Sequence, residues 1–477
     1  MRISDSIIER FAVPTEEQRE EVEKLLRDQI EKSGRKIVVL DDDPTGVQTV
    51  HDISVYTDWK PESMCKAFRE KNRLFYVLTN SRGLTEEETE KAHREIAASV
   101  DGAAKECGMD YFIISRSDST LRGHYPLETQ ILREEYEKRN HCVIDGEIIC
   151  PFFQEGGRFT IHNIHYVRYG SELVPANETE FARDKTFGYT ADTMPGYVEE
   201  KTKGAYKAED VICIDLEDIR AMNIDKMKNK LLQVSGFQKV VVNAVDYLDL
   251  KIFCVALYQA MEAGKRFMFR TAAAFVKVIG GIPDKSLLGR GEMVRICSGN
   301  GGLIVVGSHT DKTTAQLEKL KELQEIAFVE LDVTDAAQEG ALEAKVRKCI
   351  AEEEEKISGG ITVCCYTTRK EQTADTGDKE DELKLATKIS AAVQKLVGEL
   401  SVTPSFIVAK GGITSSDIGT KALKVRRADV MGQIQPGIPV WKTGRESRFP
   451  DIPYVIFPGN VGEDDTLRKV ADILMEG

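Results

Sequence analysis

Ile37-Val38-Val39-Leu40-Asp41-Asp42-Asp43-Pro44-Thr45-Gly46 is an apolar run that stops on three carboxylates, a proline and a glycine. β-Branched residues suit a strand buried on both faces, and Asp, Pro and Gly punctuate its end. The stretch predicts a strand delivering polar groups to one edge of a sheet. Outward from it the same order recurs. Residues 13–33 before it carry apolar positions at helical spacing among charges, an opening amphipathic helix. Leu74-Phe75-Tyr76-Val77-Leu78 precedes Thr79-Asn80-Ser81-Arg82-Gly83 and the helical Glu86–Val100. Tyr111-Phe112-Ile113-Ile114 precedes Ser115–Gly123 and another helix. Short β-rich runs alternating with charged helices of about 10–15 residues predict an α/β fold with a largely parallel sheet.

Further along, residues 150–205 break the rhythm with Gly, Pro, aromatics and charges, and such irregular stretches are more often functional than spacers. Val240-Val241-Val242 and Arg266-Phe267-Met268-Phe269 restore it. A glycine-dense segment follows, Gly280-Gly281-Ile282-Pro283 through Gly299-Asn300-Gly301-Gly302, before a fresh apolar run at Leu303-Ile304-Val305-Val306. A chain of 477 residues exceeds one core, since single cores stop growing near ~250–300 residues. Two domains are therefore expected, 1–290 and 291–477, each a largely parallel sheet flanked by helices. The charged run 369–382 reads as a solvated loop and helix start, not a site. No internal repeat of fixed period is present.

The charge balance, 65 basic against 79 acidic residues for a net of −14, argues against nucleic acid or an anionic membrane as partner. A local group of arginines can still hold a small carboxylate or phosphate. The ten cysteines form no C-x-x-C pair or zinc-spaced cluster. Most, such as the Cys364–Cys365 pair, sit in apolar runs as small buried hydrophobes. Met1-Arg2-Ile3-Ser4-Asp5 has no apolar signal core, and no stretch has the apolar length of a membrane span. These features predict a cytoplasmic protein; a homo-oligomer is compatible with them.

Ligands of open parallel sheets bind at the carboxyl ends of the strands. In the first domain those positions hold Asp41-Asp42-Asp43-Pro44-Thr45-Gly46, Asn80-Ser81-Arg82 and Arg116-Ser117-Asp118-Ser119-Thr120-Leu121-Arg122-Gly123. Carboxylates and hydroxyls pair with the hydroxyls of a polyhydroxy acid, and guanidiniums with its carboxylate. Helix capping accounts for one aspartate of the first group and leaves two unexplained. In the irregular middle, Gln154–His165, with Arg158, and Glu178–Asp184 crowd polar groups around small turns. His162 and His165, three apart and without a partner carboxylate, read as structural histidines before metal ligands.

The second domain has three strand–glycine–helix junctions: Val305-Val306-Gly307-Ser308-His309-Thr310, Phe406-Ile407-Val408-Ala409-Lys410-Gly411-Gly412-Ile413-Thr414-Ser415, and Val455-Ile456-Phe457-Pro458-Gly459-Asn460-Val461-Gly462. Glycine lets backbone N–H groups close on an oxyanion, and a following helix N-terminus adds its dipole. One junction is routine; three point to a nucleotide. A P-loop, a dinucleotide fingerprint and the protein-kinase motifs are all missing.

Together these residues resemble the four-carbon acid sugar kinases, which act on erythronate, threonate and oxo-tetronates. Asp42-Asp43-Pro44-Thr45-Gly46 matches that family's Asp-Asp-x-Thr-Gly strand end, and Asp118–Gly123 its Asp-Ser-Thr-Leu-Arg-Gly motif. Gly411–Ser415 matches its Gly-Gly-x-Thr-Ser loop, and Gly459–Gly462 its closing Gly-Asn-x-Gly loop. The resemblance spans both domains. It implies a sugar-acid-binding N-terminal domain, an ATP-binding C-terminal domain and transfer across the cleft between them. Asp42, Thr45, Arg82, Ser119, Arg122 and Arg158 would hold the substrate. Ser308, Gly411, Gly412, Ile413, Thr414 and Gly462, with Gly459 and Asn460 of the last loop, would meet ATP. The chain departs from the pattern at Asp41, where a small residue is common, at Pro44 in place of Leu or Phe, and at Ile413 in place of Glu. It is also longer in the middle. These departures bear on which acid is bound.

The expected chemistry is phosphoryl transfer, with Mg²⁺ held mostly by ATP phosphates and water and by at most one carboxylate; the sequence assigns no particular metal ligand. Asp43 or Asp118 would orient the attacking hydroxyl and take its proton, and Arg82, Arg122 or Arg158 would anchor the substrate carboxylate. The rival readings are another ATP-dependent phosphotransferase or ligase, and a silent sugar-acid sensor.

Overall fold

The computed structural model describes residues 2–294, 299–336, 340–369, 379–459 and 461–476, without the side chains of 379–383. The chain divides into two compact units, residues 1–46 with 58–284 and residues 47–57 with 285–477. Cys297 and most of the charged run 369–382 lie outside the described residues.

In the first unit, strands Lys36–Asp41, Leu74–Leu78, Tyr111–Arg116, Gly146–Cys150, Ile212–Ile214, Gln238–Val242 and Phe267–Thr271 form a parallel sheet. Its spatial order is 212–214, 238–242, 146–150, 267–271, 111–116, 36–41, 74–78. The strands at 36–41, 74–78 and 111–116 are buried throughout, as a parallel sheet covered on both faces requires. Helix Glu16–Ser33, opened by a capping box at Thr15, packs on Tyr247–Glu262, and Glu86–Cys107 packs between Pro61–Arg69 and Leu127–Asn140.

The register sets the site. Asp41 pairs with both Leu78 and Arg116, and Arg116 with Thr271, so neighbouring strands end at one level. The residues after each strand emerge along one edge.

The middle of the chain is more regular than its composition suggests. Strands Arg158–Ile161, Ile164–Tyr169 and Glu172–Pro175 form an antiparallel sheet, completed by Ile3–Ser4. These are strands of four to six residues, too short to show a periodic pattern among so many polar side chains.

In the second unit, strands Leu303–Val306, Ile326–Leu331, Thr362–Thr367, Ile407–Lys410 and Pro453–Phe457 run parallel. Ile438–Thr443, Arg427–Gln435 and then Ile53–Tyr56 extend the sheet antiparallel beyond Pro453–Phe457. Among the described residues no helix is long and apolar enough to cross a membrane.

A buried ion pair ties two parallel strands of the first unit. Lys239 and Glu147 are register partners, their Nζ and Oε2 stand 2.5 Å apart, and both are at most 1% exposed. Removing one partner strands a buried charge, which costs about 3–5 kcal/mol. Lys239→Met should therefore lower Tm sharply, and adding Glu147→Leu should restore most of the loss. Thermal unfolding of both variants checks this; a single variant as stable as the wild type would refute it.

Candidate functional site

The strand Lys36–Asp41 runs into Asp41, Asp42 and Asp43, placing three acids in one turn at the sheet edge. Arg116, at the end of the adjacent strand, answers the first: its Nη2 pairs with Asp41, donates to the Asp43 carbonyl at 2.9 Å and lies 3.4 Å from Asp42 Oδ1. Gly46 is required here, because a Cβ at that position would fall on the Arg116 guanidinium.

Arg82 answers the others. It sits in the turn after Leu74–Leu78, just beyond Asn80, whose φ of 57° lies in the left-handed region. Its guanidinium is ion-paired with Asp43 and stands 3.5 Å from both Asp42 and Asp118. Asp118 is also held by Arg122 Nε at 2.8 Å and by the Thr120 hydroxyl, while Thr45 donates to Asp43 through its backbone N–H and hydroxyl. The Asp118 N–H donates to Asp42 Oδ2 at 3.2 Å. Asp42, Asp43, Thr45, Arg82, Asp118 and Arg122 thus form one connected cluster.

The four carboxyls are tuned apart. Burial pushes Asp41 up to about 7, against the pull of Arg116. Burial also raises Asp42, whose Oδ1 is buried without a hydrogen bond. For Asp43 and Asp118, burial pushes upward but the cations win. Arg82 first, then Thr45 and Arg116, hold Asp43 low; Arg82 and Arg122 hold Asp118 lower still. Both are ionised at neutral pH.

The middle segment shapes the Asp118–Gly123 loop through donors that no local motif announces. His165 Nε2 donates to the Ser119 carbonyl at 2.7 Å, Tyr189 to Thr120 at 3.0 Å and Tyr197 to Leu121 at 2.8 Å. Leu121 is thereby kept at a φ of 71°, which a leucine rarely adopts. His165 Nδ1 faces the Thr160 hydroxyl at 3.0 Å, so this histidine is structural, as expected. Arg122 and Arg158 lie over the ring of Phe181 at 5.1 and 5.5 Å from its centroid. Arg158 Nε is buried without an acceptor, and the guanidinium has no ion-pair partner among the described residues. Among those residues no group of three or more His, Cys, Asp or Glu could hold a metal ion.

In the second unit the glycine junctions draw together. A Cβ on Gly411 would stand 3.0 Å from Ser308 Cβ and 3.3 Å from Thr414 Oγ1; the actual φ of 118° suits glycine. Gly412 opens the short helix Gly412–Asp417. The Gly459 carbonyl accepts from Lys410 Nζ at 3.1 Å and lies 3.5 Å from the Thr313 hydroxyl, which is 3.1 Å from Ser308 Oγ. Gln316 donates to the carbonyls of Val461 and Glu463, fixing the turn at Gly462, whose φ is 82°. Ile413 is 78% exposed on its loop, and Asn460 lies outside the described residues.

Two cations of this unit escaped the sequence reading. Lys410 is fully buried, donates to the Pro458 and Gly459 carbonyls and lies over the Phe457 ring; burial pushes its pKa down to about 7. A lysine closing the run Phe406-Ile407-Val408-Ala409 was the available signal. Arg369 Nη2 donates to the Ser308 carbonyl at 2.7 Å and to Thr314 Oγ1 at 2.8 Å.

Residues 37–279 match a sugar-binding N-terminal domain and residues 303–467 a nucleotide-binding C-terminal domain. Among solved structures the chain is similar to Haemophilus influenzae protein HI1011, described under the family DUF1537. The identity is 18% and the TM-score 0.60, over 92% of this chain and all of that one. It is also similar to a putative tRNA synthase from Salmonella typhimurium LT2, at 14% identity and TM-score 0.64, over 91% and 98% of the two chains. At such identities these likenesses show the fold. No curated protein matches.

His165 gives the site an acid limit. Burial holds its pKa down to about 4, from 6.5. Between these values the unfolded chain takes up a proton that the folded one refuses, so stability falls as pH drops from 6.5 towards 4. His165→Gln, which can keep a donor to Ser119, should flatten that slope by on the order of 3 kcal/mol. Denaturant unfolding at pH 7, 5.5 and 4.5 measures it; identical slopes would contradict the assignment.

Proposed function

We propose, from the premise that this chain belongs to the four-carbon acid sugar kinase family, that it transfers the γ-phosphoryl group of ATP to a hydroxyl of a four-carbon sugar acid. The observation that carries the reading is the make-up of the first unit's strand-end cluster. It combines carboxylates able to receive hydroxyls with an arginine, Arg158, that has no acid of its own. Such a set fits a ligand that is both polyhydroxylated and anionic.

On this reading Asp42, Thr45, Arg82, Ser119 and Arg122 line the sugar acid, and Arg158 over Phe181 takes its carboxylate. Asp43 or Asp118 orients the attacking hydroxyl. Both are held ionised by arginine, which makes them weak bases, but a loose phosphoryl-transfer transition state asks more for alignment than for early proton removal. ATP would lie against Ser308, the Gly411–Thr414 loop and the Gly459–Gly462 turn. Mg²⁺ would be carried mainly by the phosphates and water. It would neutralise charge on the transferred group.

The test is release of ADP from Mg-ATP across D- and L-erythronate, D- and L-threonate and their 2- and 3-oxo forms. One acid should turn over strongly and yield a phosphate ester, whereas AMP or a joined product would mean a ligase. With that acid, Asp43→Asn or Asp118→Asn should lower kcat by roughly 10²–10⁴-fold. Arg158→Gln should mainly raise KM. If both asparagine variants kept near-normal turnover, the catalytic assignment would fall. Steady ATP binding with no turnover on any acid would favour a sensor.

A further inference from the structure

We propose that Phe181 is a positioning residue of the sugar-acid site: its ring gathers the guanidiniums of Arg122 and Arg158 into one pair that receives the substrate's carboxylate. The proposal rests on the reading of the first unit as the sugar-acid-binding one.

Phe181 lies in the turn Glu180–Arg183 of the middle segment. Tyr169 donates to Glu180 Oε2 at 2.7 Å and the Tyr189 N–H to the Ala182 carbonyl at 3.1 Å, so the turn is fastened on both sides of Phe181. The ring packs, partly buried, on an apolar cluster that includes Leu121, Val167 and Ala182. The guanidinium carbons of Arg122 and Arg158 stand 5.1 and 5.5 Å from its centroid, within the ~6 Å over which a ring face attracts a cation.

The two arginines repel each other. Burial pushes the Arg158 pKa down and Arg122 pushes the same way, while Asp118, Tyr169 and Glu180 oppose them. A carboxylate of the protein would relieve that repulsion but would also occupy the donors, as Asp118 does with Arg122 Nε at 2.8 Å. The ring orients both cations through its negative face and leaves their N–H groups uncommitted. Arg158 is half-buried, and of its three side-chain nitrogens only Nε is both closed off and unanswered, so the Nη1–Nη2 edge is open. Two parallel donors on one edge match the two oxygens of a carboxylate. A mere cover for the apolar cluster would need only volume. Two like charges gathered at one ring are what such a role does not explain.

The test is calorimetric binding of D- and L-erythronate, D- and L-threonate and their 2- and 3-oxo forms to the full chain. Wild type, Phe181→Leu and Phe181→Tyr are compared, each with and without Arg158→Gln. For the acid that binds tightest, Phe181→Leu should weaken binding roughly 5- to 30-fold, as loss of two cation–ring contacts does, and Phe181→Tyr should stay within about twofold. With Arg158→Gln present the leucine change should weaken binding less, because the ring acts through the arginine. Equal weakening by leucine and tyrosine, no weakening by leucine, or the same leucine effect with and without Arg158 would overturn the proposal. Should the leucine variant not fold, replacing Phe181 by a ring-fluorinated phenylalanine, which keeps the shape and withdraws the negative face, decides by the same comparisons. Wild type that binds none of the acids would overturn this proposal together with the sugar-acid reading. Wild type that binds an acid but phosphorylates none would end the kinase reading and leave the positioning role standing.

Discussion

Arg82 shares one guanidinium among Asp42, Asp43 and Asp118, and the sugar-binding unit is arranged around that sharing. Carboxylates gathered this closely at a buried sheet edge cannot all stay charged unless cations stand among them. Arg116 serves Asp41 from the neighbouring strand and Arg122 serves Asp118 from the following loop. Each requirement then propagates. Arg116 needs Gly46 to be bare, Arg82 needs Asn80 to turn left-handed, and Arg122 needs the loop to pass through Leu121 at positive φ. Arg270, itself 4% exposed, closes the arrangement from below by donating to Ser117 Oγ and the Arg122 carbonyl.

The parts legible in the sequence are those encoded over a few consecutive residues. An apolar run ending in Asp41–Asp43, or in Arg116–Asp118, announces both the strand and the edge at which its polar residues emerge. The helix over 13–33 and the glycine junctions of the second unit were readable for the same reason. What stayed hidden depends on contacts far apart in the chain. Val47–Thr57 belongs to the second unit because Ile53–Tyr56 pairs with Arg427–Gln435, a pairing that no local pattern in either segment specifies. The donors from His165, Tyr189 and Tyr197 reach loop carbonyls 46 to 76 residues away. A tyrosine in a polar stretch reads the same whether its hydroxyl meets water or a buried carbonyl.

The middle segment shows why composition alone misleads. Its Gly, Pro and aromatic content reads as irregular, yet a strand, a loop and a helix of it carry His165, Tyr189 and Tyr197, the side chains that hold the Asp118 loop in shape. Precision at that loop is bought from outside it. A short loop between strand and helix has too few internal hydrogen bonds to enforce a strained leucine, so donors arrive from outside it.

The tuning of the four carboxyls follows from the same economy of cations. Arg82 and Arg122 both serve Asp118, whereas Asp42 has an oxygen with no donor, so one acid is held firmly ionised and the other is pushed towards neutrality. An arriving carboxylate would add negative charge to a cluster whose arginines are already divided. On the proposed reading, a guanidinium outside that division would meet it without unbalancing the rest, and Arg158, stacked on Phe181 with its Nε unanswered, is the candidate. On that reading, the division of charge among Arg82, Arg116 and Arg122 would favour an acid over a neutral sugar: the neutral analogue would leave Arg158 Nε buried without an acceptor, and the carboxylate of an acid would remove that cost.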